Sequence, residues 1–232
     1  MSDTLLVSEV FGPTFQGEGP STGRRCGFVR LALCNLDCSW CDAAYTWDWK
    51  RFDRNAEVVH STAAEVVAQV DAMDVRMVVI TGGEPLVQPG HLLDLVRMFD
   101  QRDYRIEVET NGTRSPGAAL VARVDQWNVS PKLAHSGVDP MKAMRPAALI
   151  DLVGYGAVFK FVVTNADEDL DEVADLVDGC GIPATSVWIM PEGTDINVIQ
   201  DRAVLLADAV LERGWNMSGR LHIDLWGNQR AR

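Results

Sequence analysis

The chain of 232 residues lacks an apolar run long enough to cross a bilayer, which takes about 20 consecutive apolar residues. Its opening MSDTLLVSEV lacks the basic start and long apolar stretch of a secretory signal. Positive charge is scarce: 21 Lys and Arg against 33 Asp and Glu leave a formal net charge of −12. No basic stretch stands out, which argues against a nucleic-acid groove; an anionic substrate would need local arginine or lysine to overcome the background field. No repeat, low-complexity tract or linker divides the chain, so it reads as a single domain over 1–232. The expectation is a cytoplasmic protein with neither membrane nor nucleic-acid partner. A disulfide framework is lacking too. The cysteines are odd in number, Cys26, Cys34, Cys38, Cys41 and Cys180, and three crowd into one short segment. That suits a metal rather than disulfides, with Cys26 and Cys180 left as small buried hydrophobes.

What is present is an alternation of short apolar runs with amphipathic segments. Gly27–Leu33, Arg76–Thr81, Arg105–Thr110, Gln126–Ser130, Ala157–Val163, Ser186–Met190 and Leu221–Trp226 read as strands, rich in Val, Ile and Phe and bounded by Gly, Pro or Asn. Between them, Thr62 to Glu65 forms a capping box ahead of Val66, Val67 and Val70. Pro89–Gln101, Asp167–Asp178 and Asp195–Arg213 carry helical apolar faces. Such alternation predicts an α/β fold with a parallel sheet, and this length suits an open, partial βα barrel of about six core strands. Polar segments follow the strand candidates directly: Cys34, Gly82-Gly83-Glu84-Pro85, Asn111-Gly112, Pro131-Lys132 and Pro191-Glu192-Gly193. Ligands of parallel α/β folds bind at the carboxyl ends of strands, so these five segments are expected on one rim.

Cys34, Cys38 and Cys41 have the spacing C-x3-C-x2-C. Soft thiolates on so short a loop select zinc, copper(I) or an iron–sulfur cluster. A structural zinc site closes with four ligands, and no fourth Cys or His lies near; His60 is the next candidate. Three cysteines would leave one iron of a four-iron cluster open. A zinc-binding scaffold protein is the alternative from another class. With Thr81-Gly82-Gly83-Glu84-Pro85 following it, the cysteine motif resembles the radical S-adenosylmethionine (SAM) superfamily. The resemblance implies a [4Fe-4S] cluster on the three cysteines, SAM on the open iron, and a 5′-deoxyadenosyl radical made by one-electron reduction. It implies SAM contacts from Trp40, Asp42, Gly83, Glu84, Asn111, Ser130, Pro131, Lys132, Met190, Pro191, Glu192 and Gly193. The alternatives for these are loop packing for Trp40 and solvated strand ends for the rest.

Phe15-Gln16-Gly17-Glu18-Gly19 precedes the cysteines, Arg30 lies four residues before Cys34, and Leu221-His222-Ile223-Asp224-Leu225-Trp226-Gly227-Asn228 stands near the end. Together these resemble the 7-carboxy-7-deazaguanine synthase (QueE) family along the whole chain. That implies a carbon–nitrogen lyase which contracts the ring of 6-carboxy-5,6,7,8-tetrahydropterin, releases ammonia and regenerates SAM, feeding 7-deazapurine pathways such as queuosine. Phe15, Gln16, Gly17, Glu18, Arg30, Thr81 and His222 become candidate substrate contacts. A guanidinium pairs bidentately with a carboxylate, and an amide offers both donor and acceptor to a pterin edge. His222 reads equally as a structural histidine. Where the family has a magnesium-binding threonine, this chain has Ala43, without a side-chain oxygen. Mg2+ is therefore expected only as an ion held by substrate and water, with Asp42 and Thr46 as nearby oxygens. Tyr45 to Phe52 is aromatic and charged and reads as either a cover for the cluster or a partner patch. The resemblance further implies a flavodoxin or ferredoxin-type reductant and a homodimer. An activase of a glycyl-radical enzyme would share the cysteines and the glycine motif, without a pterin pocket.

Overall fold

The computed structural model describes residues 4–232, so residues 1–3 of the expected domain lie outside the described residues. Its strands are Leu5–Phe15 (β1), Arg25–Leu31 (β2), Val59–Ser61 (β3), Met77–Gly82 (β4), Arg105–Thr110 (β5), Gln126–Val129 (β6), Val158–Val163 (β7), Val187–Pro191 (β8) and Asn216–Met217 (β9). They form one sheet in the order β3-β1-β2-β4-β5-β6-β7-β8-β9. Pairing is parallel from β2 through β4, β5, β6, β7 and β8 to the short β9; β1 is antiparallel to both β2 and β3. The sheet does not close on itself, so the expected partial barrel is what forms, its main strands being β2 and β4 to β8.

The helices are Arg54–Glu57 (α1), Ala63–Asp71 (α2), Pro89–Asp100 (α3), Ala118–Val121 (α4), Pro140–Ala143 (α5), Pro146–Gly154 (α6), Glu168–Cys180 (α7), Ile196–Glu212 (α8) and Leu221–Trp226 (α9). The capping box begins α2: the Thr62 hydroxyl accepts from the Glu65 amide, and the Glu65 carboxylate accepts from the Thr62 amide at 2.8 Å. Each such cap satisfies donors that the first turn would leave orphaned.

Side-chain alternation gives the sheet two unlike faces. Val29, Leu31, Val78, Ile80, Ile106, Val108, Trp127, Val129, Phe159, Phe161 and Ile189 join the apolar core beneath Val67, Leu92, Leu95, Phe99, Leu152, Val173 and Leu206 of the helices. On the other face stand Arg30, Thr81, Glu109, Asn128, Ser130 and Lys160, which line a cavity. Below them Phe11, Cys26, Phe28, Met77 and Val79 pack into a small apolar plug, with Phe11 and Phe28 stacked at 5.0 Å.

Two sequence expectations change. Leu221–Trp226 is a helix, not a strand. Its apolar–polar alternation spans only six residues, too few to tell a strand from a short helix with only Ile223 buried. The long strand β1 was not among the expected strands; register shifts at Val7/Glu9 and at Phe11/Thr14 break its alternation.

Candidate active site

The loops after β2, β4, β5, β6 and β8 reach one rim and enclose a cavity of about 380 Å³. Cys34, Cys38 and Cys41 line one part of it, together with Leu36, Trp40 and Trp47. Two thiols receive N–H donors, Cys34 from the Leu36 amide and Cys41 from the Trp47 indole, both at 3.4 Å. Donors of this kind favour a thiolate. Burial pushes the Cys34 thiol up to about 12, but a coordinating metal removes that proton outright. Of the stretch Tyr45 to Phe52, Trp47 packs on the cysteine loop and Tyr45 joins it in lining the cavity. Cys26 and Cys180 are buried among apolar neighbours, as expected.

The glycine pair after β4 has a local cause. A Cβ on Gly82 would lie 2.1 Å from the Leu31 carbonyl oxygen, and one on Gly83 2.1 Å from that of Leu33. The two backbones meet because Gly83 and Glu84 donate their amides to those same carbonyls, at 3.0 and 2.8 Å. The glycines therefore hold the cysteine loop against the sheet rather than merely opening space for a ligand. Glu84 is fully buried and off the cavity wall. Its carboxylate accepts from the Leu86 amide at 2.9 Å, the Thr110 hydroxyl at 2.8 Å and the Asn111 amide at 2.7 Å. That corrects its expected ligand contact: Glu84 pins the turn after β5 and so sets Asn111, whose side chain bonds Asn35 of the cysteine loop at 3.0 Å. Pro131 and Pro191 are likewise buried and off the wall.

Ser130, Lys132, Met190, Glu192 and Gly193 do line the cavity. Lys132 donates to the Ser130 hydroxyl at 2.8 Å and lies 5.3 Å from the centre of the Trp40 ring. Trp40 stacks on His135 and donates its indole N–H to His135 Nδ1 at 3.1 Å. With Nδ1 accepting, Nε2 carries the proton and donates to the Val162 carbonyl at 3.0 Å. Glu192 pairs with Arg202.

The other part of the cavity is built around Glu18. Its carboxylate binds Lys160 Nζ and, at 3.0 Å, Arg220 Nε. Burial opposes its charge, but Lys160, Arg220 and His222 hold Glu18 well below the usual carboxylate range. Lys160 is held above its ordinary value by Glu18 and Glu109 despite burial. Gln16 donates to Glu109 at 3.1 Å and accepts from the Glu18 amide at 3.3 Å, while Thr81 donates to Glu109 at 2.8 Å. Gln16 is thus fixed on the cavity wall by its two bonds, beside Glu109. Arg30 stands beside Thr81 across the β2–β4 pairing. Only its Nε is bonded among the described residues, to Glu9 at 3.1 Å, so the outer nitrogens remain for a ligand. Glu9 also accepts from the Tyr45 hydroxyl at 2.8 Å and from Arg230, which lies 3.7 Å from the centre of the Tyr45 ring.

Of the expected site residues, all but Glu84, Pro131 and Pro191 line this one cavity. Sequence reasoning missed Lys160 and Arg220, and gave Glu109 and Tyr45 no place at the substrate end of the cavity. Lys160 carried a usable signal, a lone lysine inside an otherwise apolar strand. Arg220 carried none.

The protein family described as the Radical SAM superfamily matches residues 30–139. With an open parallel barrel and three cysteines at its rim, the chain is a radical SAM enzyme. A curated 7-carboxy-7-deazaguanine synthase of Pyrobaculum aerophilum is 37% identical over 98% of this chain and 97% of its own length. That of Rhodopirellula baltica is 32% identical over 98% of this chain and 89% of its own. The solved structure of QueE from Escherichia coli shares the fold, with a TM-score of 0.70 at 22% identity over 94% of this chain and 95% of that one. The chain belongs to the 7-carboxy-7-deazaguanine synthase family.

The superfamily's cofactors are a [4Fe-4S] cluster and SAM, and the cysteine loop fits the first. Among the described residues no three Cys, His, Asp or Glu are placed to hold a single ion. The three thiols line a shared wall, which suits a larger polynuclear group. The oxygen set for magnesium does not fit. Ala43 offers no side-chain oxygen, Thr46 is fully buried with its hydroxyl donated to the Ala43 carbonyl at 2.8 Å, and Asp42 is bonded to Arg220.

Proposed function

We propose that this enzyme converts 6-carboxy-5,6,7,8-tetrahydropterin to 7-carboxy-7-deazaguanine and ammonia, with SAM regenerated in each cycle. The observation that carries this reading is the continuity of one cavity from the three thiols to Arg30, Glu18, Glu109 and Lys160. Loss of ammonia alone balances the conversion, so no net oxidant is needed. When bound, the cluster and SAM supply a carbon radical that abstracts hydrogen from the substrate.

The protein's own groups bind and orient. Arg30 offers its outer nitrogens to the substrate carboxylate, with Glu9 fixing the guanidinium through Nε. Glu18 and Glu109, each already holding donors, present their remaining lone pairs to the amino and ring N–H groups of the pterin. Thr81 and His222 complete that end. Ser130 and Lys132 serve the SAM ribose and carboxylate, Asn111 and the Gly83 backbone its amino acid part. Trp40, Met190, Glu192 and Gly193 wall the adenine, while Asp42 borders both ligands.

The chain acts as a single domain and as a homodimer; the exposed Val198, Val204, Leu205 and Leu211 along α8 offer an apolar stripe for pairing. Electrons come from a flavodoxin or ferredoxin-type protein in the cytoplasm, where thiols stay reduced.

The test is anaerobic. Reconstituted enzyme with reductant, SAM and the carboxytetrahydropterin is followed by mass spectrometry. A 7-carboxy-7-deazaguanine peak with SAM conserved is expected. Deoxyadenosine accumulating without ring contraction would move the substrate elsewhere.

A further inference from the structure

Arg220 is 8% exposed and joins three segments that meet at the substrate end of the cavity. Its Nε donates to Glu18 Oε1 at 3.0 Å, its Nη1 to the Gly193 carbonyl at 2.6 Å and its Nη2 to Asp42 Oδ2. Two carboxylates and a carbonyl, contributed by the segment before β2, the residue after the last cluster cysteine and the loop after β8, thus converge on one cation. Converging oxygens of this kind are what a hard divalent ion takes. Here the cation is a guanidinium, whose charge is permanent and whose donors are fixed in a planar fork.

We infer that Arg220 takes the place of a divalent cation in this cavity, so that substrate binds without magnesium. The inference rests on the pterin reading of the same site. Three features support it. The side-chain oxygens nearest the cysteine loop are already engaged, one Asp42 oxygen by Arg220 and the Thr46 hydroxyl by the Ala43 carbonyl, which leaves a single carboxylate oxygen there. Ala43 lines the cavity and brings no side-chain oxygen to it. An arriving divalent ion would also meet Arg220, Lys160 and Arg30, all lining the same space. Arg220 retains N–H donors beyond the three in use, and these serve an anionic or carbonyl oxygen of the substrate.

The experiment uses the cluster-loaded enzyme after chelator treatment. The Kd of 6-carboxytetrahydropterin is measured with SAM present, with and without added Mg2+, and Mn2+ binding is followed in parallel by electron paramagnetic resonance. The expected result for the unaltered enzyme is a Kd that changes less than about twofold and no substrate-dependent Mn2+ signal. In Arg220→Ala the Kd rises about tenfold or more, as for the loss of a charged hydrogen-bonding partner. Mg2+ then recovers part of the loss, because Glu18 and Asp42 are freed to hold it. A wild-type Kd that tightens severalfold with Mg2+, alongside intact ring contraction, overturns this inference and leaves the pterin reading standing. Absence of pterin binding with and without Mg2+ overturns both. The wild-type titration does not depend on any variant folding.

Discussion

His222 occupies the space that a side chain on Gly17 would need: a Cβ there would lie 2.1 Å from the His222 Nδ1 atom. The Leu221 amide also donates to the Gly17 carbonyl at 2.9 Å, so the segment before β2 and the start of α9 are locked face to face. Burial, with help from Arg220 and Lys160, keeps the His222 imidazole below its ordinary value against the pull of Glu18 and Asp42. Gly17→Ala is expected to displace His222 and raise the substrate Kd about tenfold, a cost of the size seen on overpacking. Adding His222→Ala to that variant should recover part of the loss, since coupled neighbours are not additive. A strictly additive double variant would show that the contact does not matter.

Lys160→Met tests how Glu18 is kept ionised. Glu18 is depressed in the folded protein, so its contribution is present above the ordinary carboxylate value and is lost only as pH falls through the lower, folded value. Removing Lys160 moves that value back up. The acid limb of kcat/KM should therefore shift to higher pH. The stability loss should be smaller than the about 3–5 kcal/mol of a wholly broken buried pair, because Arg220 still binds Glu18. An acid limb that stays in place would remove Glu18 from the titrating machinery.

Glu84→Gln keeps the shape of a buried residue but turns one acceptor into a donor. With three donors aimed at the carboxylate, one must meet an N–H group, which costs about 1–3 kcal/mol. Thermal denaturation should reveal that loss, and SAM affinity should fall as Asn111 shifts. Burial raises Glu84, so its ionisation opposes folding: wild-type stability declines as pH rises from the ordinary carboxylate value through the raised one. The Gln variant should lack that part of the pH dependence.

Gly83→Ala should cost cluster, not only stability. Its Cβ would meet the Leu33 carbonyl at 2.1 Å, and backbone cannot step aside as a side chain can. Iron content and visible absorbance after reconstitution should drop, with a destabilisation of about 1–3 kcal/mol or more. Gly90→Ala is the matched control: that helical glycine has open space, and the change should be neutral or slightly stabilising. Full iron content in the Gly83 variant would contradict the proposed packing role.

Arg30→Ala should weaken substrate binding by about 1.5–3 kcal/mol, on the order of ten- to a hundredfold, with SAM affinity preserved. Glu9→Gln should give a smaller loss, because it loosens the guanidinium without removing it. Isothermal titration with each ligand separates the two effects, and equal losses for SAM and pterin would place Arg30 outside substrate recognition.

The chemistry of the cluster end was legible in the sequence because it is local. Cys34, Cys38 and Cys41 lie on one loop, and the Thr62–Glu65 cap and the apolar strands with polar residues at their ends are set by neighbours a few positions away. Leu221–Trp226 misled because six residues hold too few turns to separate a strand's alternation from a helix at the surface. β1 was hidden by register shifts that break its alternation. Glu84 was noticed, but as a ligand contact; only its buried partners reveal that it acts within the protein.

By itself, then, the sequence determined the three-cysteine loop, the parallel α/β architecture and the rim on which the motifs gather, since each rests on spacing and periodicity over a few residues. Tertiary structure alone decided how charge is arranged around the substrate. Lys160 and Arg220 lie 142 and 202 residues from the Glu18 they hold. No local pattern encodes that meeting, which arises only when the sheet curves and α9 returns against the segment before β2. There the low-dielectric interior makes each buried charge depend on a partner supplied by a distant part of the chain.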